Sequence, residues 1–181
     1  MALSITVRLR AGRYDAATTE PGTPEWPPHP ARLFCALVAS GQSDADWEAL
    51  RWLEHQRPPE VWAPREVSPV RAEGYVVLNA LSRKDKGTAW PVRSNGIRRR
   101  VGVVPQDDRF AIVWPDAEPD DQVLGRLVRL ASTVPYVGRS TSWAEVTVLP
   151  ALVEERPSWL RYRVVPLGTP RSASLRVPFP G

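Results

Sequence analysis

Twenty prolines in 181 residues set the grain of this chain. A proline donates no backbone hydrogen bond and fixes φ, so helix interiors and central strands exclude it. Pro58-Pro59, Pro91, Pro105, Pro115, Pro135 and Pro150 fall between apolar runs, not inside them. The chain is therefore cut into short elements joined by well-punctuated loops, and no internal repeat is visible. Hydrophobic residues make up 43%, enough for a packed core. The length suits one domain, or one domain with appendages.

Between the prolines the apolar periods alternate in type. Leu3, Ile5, Val7 and Leu9 alternate with polar residues, which predicts a half-buried strand. Pro30 suits the first turn of a helix that Gly41 ends, with Leu33 and Leu37 on its apolar face. Ala45, Ala49, Trp52 and Leu53 predict a second helix from about Asp44 to Gln56. Short strands are expected at Val61–Ala63 and Tyr75–Leu78, an extended piece at Val101–Val104, and a strand at Arg109–Trp114. Asp120 and Asp121 open the clearest helix, carried by Val123, Leu127, Leu130, Ala131 and Val134. Trp143–Leu149 and Leu160–Val165 are β-rich. The order predicts an α+β chain with a ferredoxin-like, β-α-β-β-α-β domain of the RRM type over residues 1–150. That fold hosts many functions, and its sheet is a common RNA-binding platform.

Several functions are excluded or weakened. No apolar run approaches the ~20 residues of a membrane helix, and the N-terminus does not resemble a signal peptide. A cytoplasmic protein without membrane contact is expected. Cys35 is the single cysteine; among Leu33, Phe34, Ala36, Leu37 and Val38 it reads as a buried, inert thiol. With only His29 and His55, neither a multi-histidine metal site nor any other metal or cofactor is expected. Asp107-Asp108 and Asp120-Asp121 read as turn and helix-start residues. No phosphate-binding glycine loop, nucleophile elbow or zinc-protease motif occurs.

Charge is focused. From Arg83 to Arg100 stand seven basic residues and one acid, a local balance of +6, whereas the remainder carries 17 basic and 19 acidic residues. If Tyr75–Leu78 pairs with Arg109–Trp114, about 30 residues join them, far beyond the usual hairpin loop. This insertion, about 80–104, holds Arg83, Lys84, Lys86, Arg93, Arg98, Arg99 and Arg100, with Trp90 among them. Cations neutralise phosphates and an aromatic ring stacks on an unpaired base, so these residues are the candidate RNA grip.

Three further segments stand out: Gly12-Arg13-Tyr14; Glu25-Trp26-Pro27-Pro28-His29-Pro30-Ala31-Arg32-Leu33-Phe34-Cys35-Ala36-Leu37-Val38; and Tyr136-Val137-Gly138-Arg139-Ser140-Thr141-Ser142-Trp143. Together they resemble the subtype I-U (I-G) CRISPR-associated RAMP family, in which a Cas-five-like half is fused to a Cas-six-like half. The resemblance covers residues up to about Leu149. It implies a subunit of a Cascade complex that caps the 5′ handle of CRISPR RNA with a thumb protruding from a ferredoxin-like core. The implied partners are CRISPR RNA, the backbone RAMP and large subunits, and, indirectly, target DNA. The chain then looks like the first half of the fusion, with residues 151–181 an extra strand and linker toward a missing C-terminal half.

Arg13, Tyr14 and Arg32 are candidate RNA or neighbour contacts on this resemblance. Gly138-Arg139-Ser140 is a candidate phosphate-binding nest or an ordinary turn. Trp26-Pro27-Pro28 reads as rigid packing under the first helix. Metal-independent RNA cleavage needs a base, an acid and a phosphate-binding cation. His29 with Tyr14 and Arg13 is the weak candidate set for it, although a helix cap explains His29 equally. No catalytic residue is therefore assigned, and the rivals are an RNA-binding scaffold, an endoribonuclease active as the full fusion, and an interaction domain whose basic loop meets an acidic protein.

Overall fold

The computed structural model describes residues 2–20, 22–81, 93–166, 168–170 and 174–180. The chain is α+β. Its elements are β1 (Leu3–Leu9), α1 (Pro30–Ser40), α2 (Asp44–Glu54), β2 (Glu60–Pro64), β3 (Val67–Leu81), β4 (Arg93–Pro105), β5 (Arg109–Trp114), α3 (Asp121–Ser132), β6 (Ala144–Leu149) and β7 (Trp159–Tyr162).

Five strands form one sheet in the order β6-β1-β5-β2-β7, and every neighbouring pair is antiparallel. With β3 and β4 set aside, β6-β1-β5-β2 is the strand order of a ferredoxin-like domain, compatible with the predicted class. The register shows why the alternating pattern matters. Val148, Ile5, Ile112, Val61 and Tyr162 lie in one row across the sheet. Four of them are buried and Tyr162 packs against them, all in the core beneath the helices. The neighbouring row is Thr147, Thr6, Ala111, Trp62 and Arg161, and it faces the other way.

The helices sit where their apolar faces predict. Leu33 and Leu37 of α1, Ala49, Leu50 and Leu53 of α2, and Leu127, Leu130 and Ala131 of α3 complete the core. Ser43 and Asp46 cap α2 reciprocally, and Asp120 caps α3 by accepting from the Val123 amide at 2.8 Å. Asp46 also pairs across to Arg129 of α3, whose guanidinium holds this carboxyl well below the usual carboxylate range. Cys35 corrects the expectation of a buried thiol. It lies two residues from Leu33, about 200° around the helix, and is exposed.

The other face of the sheet is not open. After β6 the chain turns across it: the Ser4 hydroxyl donates to the Ala151 carbonyl (2.6 Å) and accepts from the Val153 amide (3.1 Å). Trp62, Ala111 and Val113 form a small second core there, against Val153 and Trp159. Arg156 and the Trp159 indole both donate to Asp107, at 2.5 and 3.1 Å. The Arg161 guanidinium lies 3.9 Å above the Trp62 ring. The face that RRM-type domains leave free for RNA is thus partly covered.

Tyr75–Leu78 does not pair with β5. The central partner of β5 is β2, whose Val61, Trp62 and Ala63 are all buried. Five residues suffice because neighbouring strands and two packed faces hold them. β3 and β4 form a separate two-stranded sheet between β2 and β5 in the chain.

Candidate nucleic-acid interface

The β3–β4 ribbon runs from a buried root to an exposed arm. At the root, Tyr14 and Val103 exchange two backbone hydrogen bonds of 2.8 Å, and Val67 and Val103 join the core. Further out, Tyr75 is 76% and Ile97 55% exposed, and these two are directly paired. Arg98, Arg99 and Arg100 are all exposed on this arm. Strand alternation divides them. Arg99 shares a face with Ile97 and pairs with Glu73 opposite (2.8 Å), while Arg98 and Arg100 point to the other face with Gly102. Arg93 opens β4. Arg83, Lys84, Lys86 and Trp90 lie outside the described residues.

The root is built on two buried carboxylates that bring together the three distinctive sequence segments. Asp15 is fully buried. Its Oδ1 accepts from Arg13 Nε (3.0 Å) and Nη2 (2.6 Å), and its Oδ2 from the Thr141 hydroxyl (2.5 Å). Its amide donates to Ser142 Oγ (2.6 Å), and its carbonyl accepts from the Arg139 amide (3.0 Å). Two glycines make this closeness possible. A Cβ on Gly102 would lie 2.2 Å from Asp15 Oδ1 and 2.6 Å from the Tyr14 carbonyl; one on Gly138, whose φ is +92°, would lie 2.9 Å from the Asp15 carbonyl.

Glu25 is the second. It is fully buried and accepts from the Tyr14 hydroxyl (2.9 Å), the His29 amide (3.2 Å), and Arg32 Nε and Nη2 (3.2 and 3.0 Å). Burial pushes its carboxyl up, but the donors Arg32, His29 and Tyr14 together outweigh that and hold it below its ordinary value. Burial, followed by the Glu25 charge, raises the Tyr14 phenol well above its ordinary value. The Tyr14 ring packs edge-on against Trp26 and Phe110, both at 6.0 Å. Trp26 also donates to the Pro64 carbonyl (3.1 Å), in line with rigid packing by the Trp26-Pro27-Pro28 stretch, whose Trp26-Pro27 bond is cis.

This geometry fixes what each candidate side chain offers. Tyr14 has no exposed surface for a ligand. Arg13 and Arg32 are each about one-third exposed and already serve a carboxylate. His29 stands at the N-cap of α1, but its ring does not cap the helix. Its Nδ1 instead accepts from the amide and Nε of Arg176, at 3.4 and 3.2 Å. Burial chiefly, with help from Arg176 and Arg32 against Glu25, lowers its pKa. Tyr14 and His29 thus meet at Glu25, the first enclosed and the second with Nδ1 occupied, while Arg13 is held on Asp15. The Arg139 amide is likewise turned inward, so Gly138-Arg139-Ser140 offers its exposed side chains and not that N–H.

Asp15, Thr141, Ser142, Gly102 and Arg176 were not singled out in the sequence as site residues. Thr141 and Ser142 lie inside the third distinctive segment and Asp15 directly follows the first, whereas nothing in the sequence points to Gly102 or Arg176. Among the described residues no group of three or more His, Cys, Asp or Glu is placed to hold a metal, and no helix is long and apolar enough to cross a membrane.

No curated protein matches this chain. Among solved structures, a GlnK–ATP complex from B. subtilis aligns with 83% of this chain and 84% of its own at 11% identity; its TM-score of 0.18 is too low to bear on fold or function. A family model does match, over residues 4–181, that of the CRISPR-associated protein, GSU0054 family. It spans both carboxylate clusters, the ribbon and the strand that closes the sheet, and by this match the chain belongs to the GSU0054 family of CRISPR-associated proteins.

Proposed function

We propose that this chain is a guide-RNA-binding subunit of a Cascade-type complex, with the β3–β4 ribbon as its grip on the 5′ handle. Membership of a CRISPR-associated family supports an RNA-related role. The observation that carries the finer reading is the exposed Arg98-Arg99-Arg100 run on a ribbon rooted in buried charge pairs. A rooted ribbon presents its cations with little ordering cost, and cations so placed bind phosphates by releasing counterions. The neighbouring candidates Arg83, Lys84, Lys86, Trp90 and Arg93 extend the same basic stretch in sequence. We assign the subtype I-U (I-G) lineage, and contacts to backbone and large subunits in antiviral defence, on the sequence resemblance.

The test is RNA affinity against salt for the chain and for Arg98→Ala/Arg99→Ala/Arg100→Ala, on single-stranded repeat-derived RNA. Each lost phosphate contact lowers the log–log slope by about 0.7. Affinity and slope are expected to fall together while the fold persists. An unchanged slope overturns the assignment. The rival reading, RNA processing through His29, has less support, because the His29 ring holds Arg176 and its partner Tyr14 is enclosed.

A further inference from the structure

The turn between α3 and β6 carries two exposed aromatic residues, Tyr136 at 39% and Trp143 at 64%. They are joined by an antiparallel bridge, which places both side chains on one face. The turn between them is fixed from within. Ser142 is buried and its amide donates to the Arg139 carbonyl at 2.8 Å, Thr141 and the Arg139 amide hold Asp15, and Gly138 supplies the positive φ. Arg139 and Ser140 are exposed at its tip, and Arg139 forms no ion pair among the described residues. Glu145, two residues after Trp143, is paired with Arg10 at 2.8 Å.

The turn and the arginine ribbon meet at Asp15. Gly102 and Gly138 both abut Asp15, at its carboxylate and its carbonyl. Arg100 and Arg98 stand two and four residues before Gly102, on the ribbon face that Gly102 turns toward Asp15. Arg13 pairs with the Asp15 carboxylate. The ribbon, Arg13 and the Arg139 turn therefore all converge on Asp15.

The geometry points to a base-stacking platform at this turn: Trp143, flanked by Tyr136, takes an unpaired nucleobase of the strand whose phosphates lie along Arg98, Arg100 and Arg139. An exposed indole on a fixed turn is pre-organised for stacking, which is indifferent to base identity. This platform rests on the RNA-binding reading and adds a second contact to it.

Trp143→Ala and Trp143→Phe, compared with the unaltered chain and the triple arginine variant, test it. The probes are a single-stranded oligouridylate and an abasic oligomer of equal length. Trp143→Ala is expected to weaken oligouridylate binding about tenfold, within the span of one stacked base, with an unchanged salt slope. Binding of the abasic oligomer stays as it was, and Trp143→Phe restores most of the loss. If Trp143→Ala binds oligouridylate as the unaltered chain does while the triple variant fails, the platform is overturned and the ribbon reading stands. If neither variant loses affinity, both fall. An equal loss on both oligomers also overturns the platform, since it assigns Trp143 to the fold or to another surface. Should Trp143→Ala not fold, the unaltered chain decides: equal affinity for the two oligomers rejects stacking.

Discussion

Removing the Glu25 carboxylate tests whether the ribbon root depends on buried charge. Glu25 has no exposed surface and serves four donors: the Tyr14 hydroxyl, the His29 amide and two nitrogens of Arg32. Glu25→Gln keeps a carbonyl that can face Tyr14 and the His29 amide, and loses the charge opposite Arg32. Arg32 is 34% exposed and recovers part of that loss from water, so the cost is about 1–2 kcal/mol. Glu25→Ala also orphans the Tyr14 hydroxyl, which water does not reach, adding about 1–3 kcal/mol. The alanine variant should then lose about 2–5 kcal/mol, overlapping the range for a broken buried pair. At about 2–4 °C per kcal/mol for a domain of this size, its Tm falls by about 4–20 °C. Urea unfolding with a two-state check measures the difference. The decisive comparison adds Tyr14→Phe, which should stabilise the Glu25→Ala background by about 1 kcal/mol or more while destabilising the unaltered chain. If Tyr14→Phe is equally costly in both, the hydroxyl is not an orphan and the proposed basis of the root is wrong.

Two other outcomes follow from the same geometry. Gly102→Ala drives a methyl group to 2.2 Å from Asp15 Oδ1 and 2.6 Å from a backbone oxygen that cannot swing away. A cost of about 1–3 kcal/mol is expected, together with faster amide exchange at Tyr14 and Val103, whose paired bonds must part; unchanged exchange would contradict it. For pH, folding depresses the pKa of His29 and of Glu25, so the unfolded chain binds more protons as pH falls. Stability conferred by His29 is present above its ordinary value of about 6.5 and is lost as pH falls through the lower folded value. The Glu25 contribution is lost at still lower pH. Urea midpoints should therefore fall from about pH 6.5 downward, and His29→Asn should delay that onset; an identical profile for the variant excludes His29 as its source.

The fold was legible where a period met an unbroken segment. The β1 alternation, the α3 stripe and β5 are found where the residues predict them, because each buries one regular face. Tyr75–Leu78 misled for a physical reason. An apolar run signals burial only if something covers it, and on a two-stranded ribbon Tyr75 and Val77 remain exposed. Val61–Ala63 is shorter, yet β5 and β7 flank it and side chains close both its faces. Cys35 misled similarly, since a run of apolar neighbours around a helix says nothing about which of them faces outward.

The distinctive segments were legible as segments but not in their role. Arginines and a tyrosine in loops read as ligand contacts, because a sequence shows charges without showing their partners. What the sequence hides is that Asp15 and Glu25 have no access to water, so Arg13, Arg32, Tyr14 and Thr141 are required inside. A buried carboxylate deprived of one donor is costly, which ties these distant segments to one another more strictly than an exposed contact would. The ribbon inherits that strictness through Gly102, whose lack of a side chain lets Asp15 sit against the strand. Arg98 and Arg100 lie on the ribbon face that Gly102 turns toward Asp15, and the Arg139 amide donates to the carbonyl of that same residue. On the proposed RNA-binding reading, changes at Asp15 or Glu25 should weaken affinity for single-stranded repeat-derived RNA without either residue touching it, and binding unchanged in Asp15→Asn would contradict that link.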